Sequence, residues 1–276
     1  MSTSITWRVV RPGIVVALLL GLLGVPLWLV FITSAKSRGD ALSPSLALPR
    51  DGWHLAANYS EVFTEGRVWK AFFGSLSIVL PSTVLLLLLG AMAGWVLARR
   101  SGLVIAVLYA IGISGIVLPP AVITLVLLLR QLSIDGTLTG MVLVYTGIYM
   151  STSIFFITGF IRTIPAELEE AARVDGAGPV RIFVTIILPL LRPVLATATI
   201  LICLYIWNDV FYAFFVIGGR KDTLPLNLFQ VASAGLYLNN WHLIFAYVVL
   251  MSLPLLVVFA VAQRRIISGI TGGAVK

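Results

Sequence analysis

Six apolar runs of 20 to 27 residues divide this chain of 276, and only one of them contains a charged residue. They cover residues 13–32, 71–97, 103–129, 138–161, 194–217 and 243–262. Crossing a hydrocarbon core of roughly 30 Å takes about 20 helical residues, so each run is long enough to span. Composition agrees: 59% of the residues are hydrophobic and 11% charged, against roughly 45–50% and 25% in soluble domains. The formal charge of +8 does not point to nucleic acid, because the basic residues sit in short loops between the runs, where membrane topology puts them. Cys203, alone in an apolar run, reads as a small buried hydrophobe. His54 and His242 are far apart and have no cluster of ligating residues around them, so no metal site is expected. There is no G-x-x-x-x-G-K phosphate loop, which excludes ATP binding by that route.

Arg8 and Arg11 precede the first run, but its apolar stretch is too long for a signal peptide and no A-x-A-like site follows at "FITSAKS". It reads as a retained span. Six spans put both termini on one side. With the termini inside, Arg8, Arg11, Arg99, Arg100, Arg162, Arg173, Arg181, Arg192, Arg264, Arg265 and Lys276 are inner, eleven in all. Lys36, Arg38, Arg50, Arg67, Lys70, Arg130, Arg220 and Lys221 are outer, eight in all, five of them in one long loop. That bias favours cytoplasmic termini.

Pro26, Pro81, the pair Pro119–Pro120 and Pro254 interrupt the runs. Membrane helices tolerate such breakers where neighbours satisfy the freed carbonyls; the Pro pair reads either as an ordinary kink or as a break beside a moving pathway. "GAMAG", from Gly90 to Gly94, permits close helix approach and marks packing, within the chain or with a partner. In the outer loop, "NYSEVF" predicts a short helix with Asn58 as N-cap and Glu61 three residues on, followed by Trp69, Phe72 and Phe73 at the interface. No internal repeat is evident, and residues 1–276 read as a single transmembrane domain.

The fourth and fifth runs are separated by residues 162–193, too many for a simple turn, and this insert carries three Arg, three carboxylates and three Pro within 169–193. It reads as two short helices. Thr163 caps the first, Pro165 opens it, and Glu167, Glu169 and Glu170 suit its positive end. Leu168, Ala171 and Ala172 give it a small apolar face, and Asp175-Gly176 ends it. Gly178-Pro179 starts the second, with Ile182, Phe183 and Ile186 on one side; Leu188-Pro189 stops it and Pro193 opens the fifth span. The acids have no partnered base, nucleophile or metal ligand, which excludes a catalytic centre. The shallow face fits a partner's groove or a membrane surface.

The stretch "EAARVDGAGPVRIFVTIILP" resembles the cytoplasmic signature of ABC importer permeases. Glu170, Ala171, Ala172, Asp175 and Gly176 match, as does the later Leu188-Pro189. "IPAELEEAA", "WNDVFYAF" and "QRRIISGITGGAVK" resemble the carbohydrate branch, in particular the smaller, six-span permease of maltose-type pairs. The resemblance implies an all-α type I importer permease fold, with the insert as a coupling helix docked on an ATPase dimer. It also implies that Gly269, Thr271, Gly273, Ala274 and Lys276 form a tail entering that dimer's interface. The implied partners are a second permease, the ATPase dimer, an extracellular or periplasmic binding protein, a sugar and membrane lipid. ATP and Mg would be bound by the ATPase and no cofactor by this chain, a non-catalytic subunit of the bacterial inner membrane. A non-sugar cargo (a glycerophosphodiester, amino acid or peptide) is the alternative within the same family.

Asp209, in "YIWNDVFY", is the one charge inside a run. A carboxylate near the membrane centre costs roughly 2.5–3.5 kcal/mol on insertion scales and must face the bundle interior or water. Asn208, Asp209 and Tyr212 are therefore candidates for the substrate pathway, with aromatic surface from Trp207 and Phe211 nearby. Neighbours on a helix point about 100° apart, so Asn208 and Asp209 cannot both address one ligand. Asp209 equally suits a polar contact between helices. An intramembrane enzyme is excluded by the lack of a second reactive group in the runs.

Overall fold

A computed structural model describes residues 3–118, 120–233 and 239–274, with side chains for 11–118, 120–233 and 239–260. The described residues form helices and no strands. In chain order these are α1 (Arg11–Ser34), α2 (Leu55–Glu65), α3 (Val68–Arg99), α4 (Leu103–Ser114), α5 (Val122–Gln131), α6 (Leu138–Ile161), α7 (Glu167–Val174), α8 (Pro179–Leu190), α9 (Arg192–Trp207), α10 (Phe211–Ile217), α11 (Leu224–Ser233) and α12 (Trp241–Ala274). Among the described residues α1, α3, α6 and the first part of α12 are long and apolar enough to cross a membrane alone, and α8 with α9 forms a fifth, bent candidate. Their exposed surfaces are rich in Leu, Val and Phe, as lipid contact requires.

Two expected spans are broken. The run 103–129 folds as α4 and α5, separated by turn residues and Pro120; Pro119 lies outside the described residues. The run 194–217 is cut between α9 and α10 at Asn208, Asp209 and Val210. Hydropathy sums apolar content and does not register a break of a few residues, so the fifth run reads as continuous in sequence, whereas the proline pair marks the third as kinked or broken.

The chain divides into two compact units. One comprises Met1–Trp69 and Asn227–Pro254, the other Lys70–Leu226 and Leu255–Lys276. In the first, the loop after α1 is built from polar contacts. Lys36 is fully buried and donates to the Ser45 carbonyl and hydroxyl at 3.0 and 2.9 Å. The expected capping role of Asn58 is corrected here: α2 begins after His54. Asn58 lies inside the helix, its amide donating to the carbonyls of Ser34 and Lys36, both at 2.9 Å. Satisfying two buried carbonyls at a helix end outweighs one cap.

In the second unit α3 packs against α6 through the glycine pair. A Cβ on Gly90 would collide with the Ser153 side chain, whose hydroxyl donates to the Leu86 carbonyl at 2.8 Å. On Gly94 it would come within 3.2 Å of Ile157 and Thr158. The "GAMAG" segment thus packs within the chain. Below this contact, Ala91, Ile157, Ile161, Ile164, Ile182, Phe183, Ile187 and Leu191 bury one continuous core. It seats the insert against the ends of α3 and α6.

Candidate functional site

The insert is two helices, but the first turns an unexpected side inward. Glu169 on α7 is 1% exposed. Its carboxylate accepts from Arg99 Nε at 2.6 Å and Trp95 Nε1 at 3.0 Å, both on α3, with Arg173 Nη2 at 3.5 Å. Arg99 also donates through Nη2 to the Ile164 carbonyl at 2.9 Å. A buried carboxylate is tolerable only when charge-paired and hydrogen-bonded, and here both oxygens are served. The expected apolar face therefore splits. Ala172 packs on the core, whereas Leu168 and Ala171 face outward beside Val174, which is 87% exposed. Periodicity grouped Ala172 with Leu168 and Ala171 on one partner-facing side; with Glu169 paired to the guanidinium at the end of α3, Ala172 packs inward instead.

The expected helix start is also corrected. Thr163 donates its hydroxyl to the Phe160 carbonyl at 2.8 Å, closing α6, and α7 begins after Ala166 with no side-chain cap. The end follows expectation. Gly176 has φ +81, its N–H bonds to the Arg173 carbonyl at 3.0 Å, and Ala177 N–H bonds to the Ala172 carbonyl at 2.9 Å, a Schellman closure. Gly178 and Pro179 then open α8. Leu188-Pro189 does not stop it. A π-turn over Phe183–Ile187 precedes the proline, and helix continues to Leu190; such a widened turn tolerates the missing proline N–H. The chain bends by 72° before Arg192–Trp207.

At the break in the fifth run, Asp209 does two jobs. Its carboxylate caps α10, accepting from Ala213 N at 3.0 Å and Tyr212 N at 3.4 Å, and it accepts from the Tyr145 hydroxyl of α6 at 2.7 Å. Asn208 turns the other way and donates to the Leu204 carbonyl at 2.9 Å, finishing α9. Tyr212 is half-buried, edge-on to Phe211 at 5.3 Å. Beside Asp209 stands a ladder that sequence reasoning missed: Tyr145 stacks on Tyr149 at 6.2 Å, and Tyr149 on Tyr205 at 5.7 Å with planes 15° apart. The ladder runs from buried Tyr145 to Tyr205, which is 48% exposed. The four-residue spacing of Tyr145 and Tyr149 was the available signal.

The tail residues Gly269, Thr271, Gly273 and Ala274 continue the backbone of α12; their side chains and Lys276 lie outside the described residues.

The chain is 35% identical over 261 residues to the melibiose/raffinose/stachyose import permease protein MelC of Bacillus subtilis (strain 168), covering 91% of each. It is 32% identical to the diacetylchitobiose uptake system permease protein NgcG of Streptomyces coelicolor, covering 91% of this chain and 84% of that one. A chain from a bacterial ABC transporter that imports the acidic polysaccharide alginate superposes with TM-score 0.82 at 21% identity, covering 96% of this chain and 98% of that one, which shows a shared fold. Residues 86–272, holding the insert and the broken fifth run, match the family described as binding-protein-dependent transport system inner membrane component. The chain belongs to that family, as an inner-membrane permease of the ABC importer type.

Proposed function

We propose that this chain is the permease subunit of an ATP-driven sugar importer and forms half of its translocation pathway. The observation that carries the coupling role is the two-sided build of α7. Glu169 ties one side to the end of α3, while Leu168, Ala171, Val174 and Gly176 leave a shallow outward surface that suits a cleft in an ATPase subunit. Glu170, Asp175 and Gly176 border that surface. In this reading both termini and the insert face the cytoplasm, and the partner ATPases hold ATP and Mg. ATP-driven closure of their dimer carries α7 inward, and the attached helices open outward to receive cargo from a binding protein. A second permease completes the pathway.

Oligosaccharide cargo is supported by the names of the two relatives and by the tyrosine ladder beside Asp209, whose ring faces suit sugar C–H surfaces. Asp209 and Tyr145 hold the ladder in place, while Tyr149 and Tyr205 offer the faces.

The test is to replace Gly176 with Leu and measure uptake alongside co-purification of the ATPase. Its φ of +81 penalises any side chain, although no atom lies within 4 Å of a Cβ there. Uptake should fall at least tenfold with the chain still folded; wild-type uptake and assembly would refute the coupling role. A sugar screen on the cognate binding protein tests the cargo.

A further inference from the structure

A cavity of about 470 Å³ lies where α3 meets the insert. Arg99, Arg100 and Arg173 line it together with Trp95, Val96 and Ile182. Two of these arginines, Arg99 and Arg173, meet one carboxylate, Glu169. Arg100 is exposed and makes no side-chain bond or ion pair among the described residues. The cavity therefore has surplus positive charge over an apolar floor.

One wall continues as a ridge along α3. Leu88, Met92 and Val96 recur every fourth residue and are all exposed, forming an apolar ridge inclined to the helix axis that ends in the cavity mouth. Arg99 and Arg100 mark the end of that ridge, the depth at which a spanning helix meets headgroups. An apolar track leading into a cationic cavity matches a phospholipid, with its chain along the ridge and its phosphate among the guanidiniums.

We propose that this cavity binds the phosphate of an anionic phospholipid whose acyl chain lies along the α3 ridge. A soluble anion would use the guanidiniums but has no need of the ridge. A lipid here touches the insert and α3 together, so occupancy stabilises their contact. The site does not depend on which cargo the protein carries.

The experiment places a photo-reactive residue at Val96 in the full chain, purified with its accompanying subunits into phosphatidylcholine nanodiscs doped with phosphatidylglycerol. Mass spectrometry then identifies what is captured. Phosphatidylglycerol should be captured in preference to phosphatidylcholine and survive added inorganic phosphate. Capture should fall about fivefold in Arg100→Ala and roughly 30-fold in Arg100→Ala/Arg173→Ala, one surface-charge increment per Arg. Arg130→Ala should leave it unchanged. Because Arg100 has no partner to lose, its variant keeps the wild-type unfolding midpoint and still reads out binding. Equal capture of both lipids, displacement by inorganic phosphate, undiminished capture in the double variant, or capture of a protein chain in place of lipid would overturn the proposal.

Discussion

Glu169 and Asp209 are both carboxylates in apolar surroundings, and the protein satisfies them in opposite ways. Glu169 is paired with a cation from another helix, Arg99, at 2.6 Å, and is almost wholly buried. Asp209 has neutral donors only, the Tyr145 hydroxyl and two backbone N–H groups, and is half-buried. The first arrangement joins two elements and fails if either partner is lost. The second caps a helix beside a break and tolerates changes that preserve an acceptor. One carboxylate is a fastener between elements, and the other supports a local discontinuity.

Four variants at these two carboxylates, with two at the α3–α6 glycines as a packing reference, break or sharpen this contrast. Glu169→Ala leaves the partly buried Arg99 guanidinium unpaired and should cost about 3–5 kcal/mol, seen as a large drop in unfolding midpoint in detergent. Glu169→Met with Arg99→Leu should recover most of that loss, since removing both charges removes the penalty; no recovery would mean that shape and not charge holds α7. Asp209→Ala should cost roughly 1–3 kcal/mol, combining a lost cap with a buried tyrosine hydroxyl left without its acceptor. Gly90→Ala should lower the midpoint by an amount equivalent to about 1–3 kcal/mol, because its new methyl meets Ser153 in a packed contact; Gly94→Ala should cost less, its neighbours standing at 3.2 Å. Asp209→Asn keeps an acceptor for Tyr145 and should cost less than about 1 kcal/mol. A stability loss as large as that of Glu169→Ala would erase the distinction between the two sites.

The unbroken spans were legible in sequence because length and hydropathy suffice for them. The runs 71–97 and 138–161 appear as Val68–Arg99 and Leu138–Ile161, differing by only a few residues at the ends. The close of α7 was equally legible, since Asp175-Gly176 is local turn chemistry. Asp209 attracted notice because a charge in an apolar run stands out, and that it sits at a break follows from its cap. Glu169 was hidden. Its partners Trp95 and Arg99 lie 74 and 70 residues away, and within its own helix it resembles the other first-turn acids. Tyr205 is likewise brought to Tyr149 only by the packing of α6 against α9. Periodicity reports a helix's own faces and contains nothing about which neighbour will claim them.

Helix α3 keeps its 32 residues continuous through Pro81, which at 1.5 Å per residue is about 48 Å. Near its start Lys70 pairs with Asp222 at 3.0 Å and Ser75 accepts from Leu224 N at 2.9 Å, while Arg99 grips Glu169 at the other end. Mechanically it is a connecting rod with a joint at each tip. In the coupling proposed above, α3 is the element that would link a movement of α7 to the residues around 222–224. The broken fifth run, by contrast, has its compliance concentrated at three residues, so any relative movement across the membrane in this half of the chain is expected to turn there.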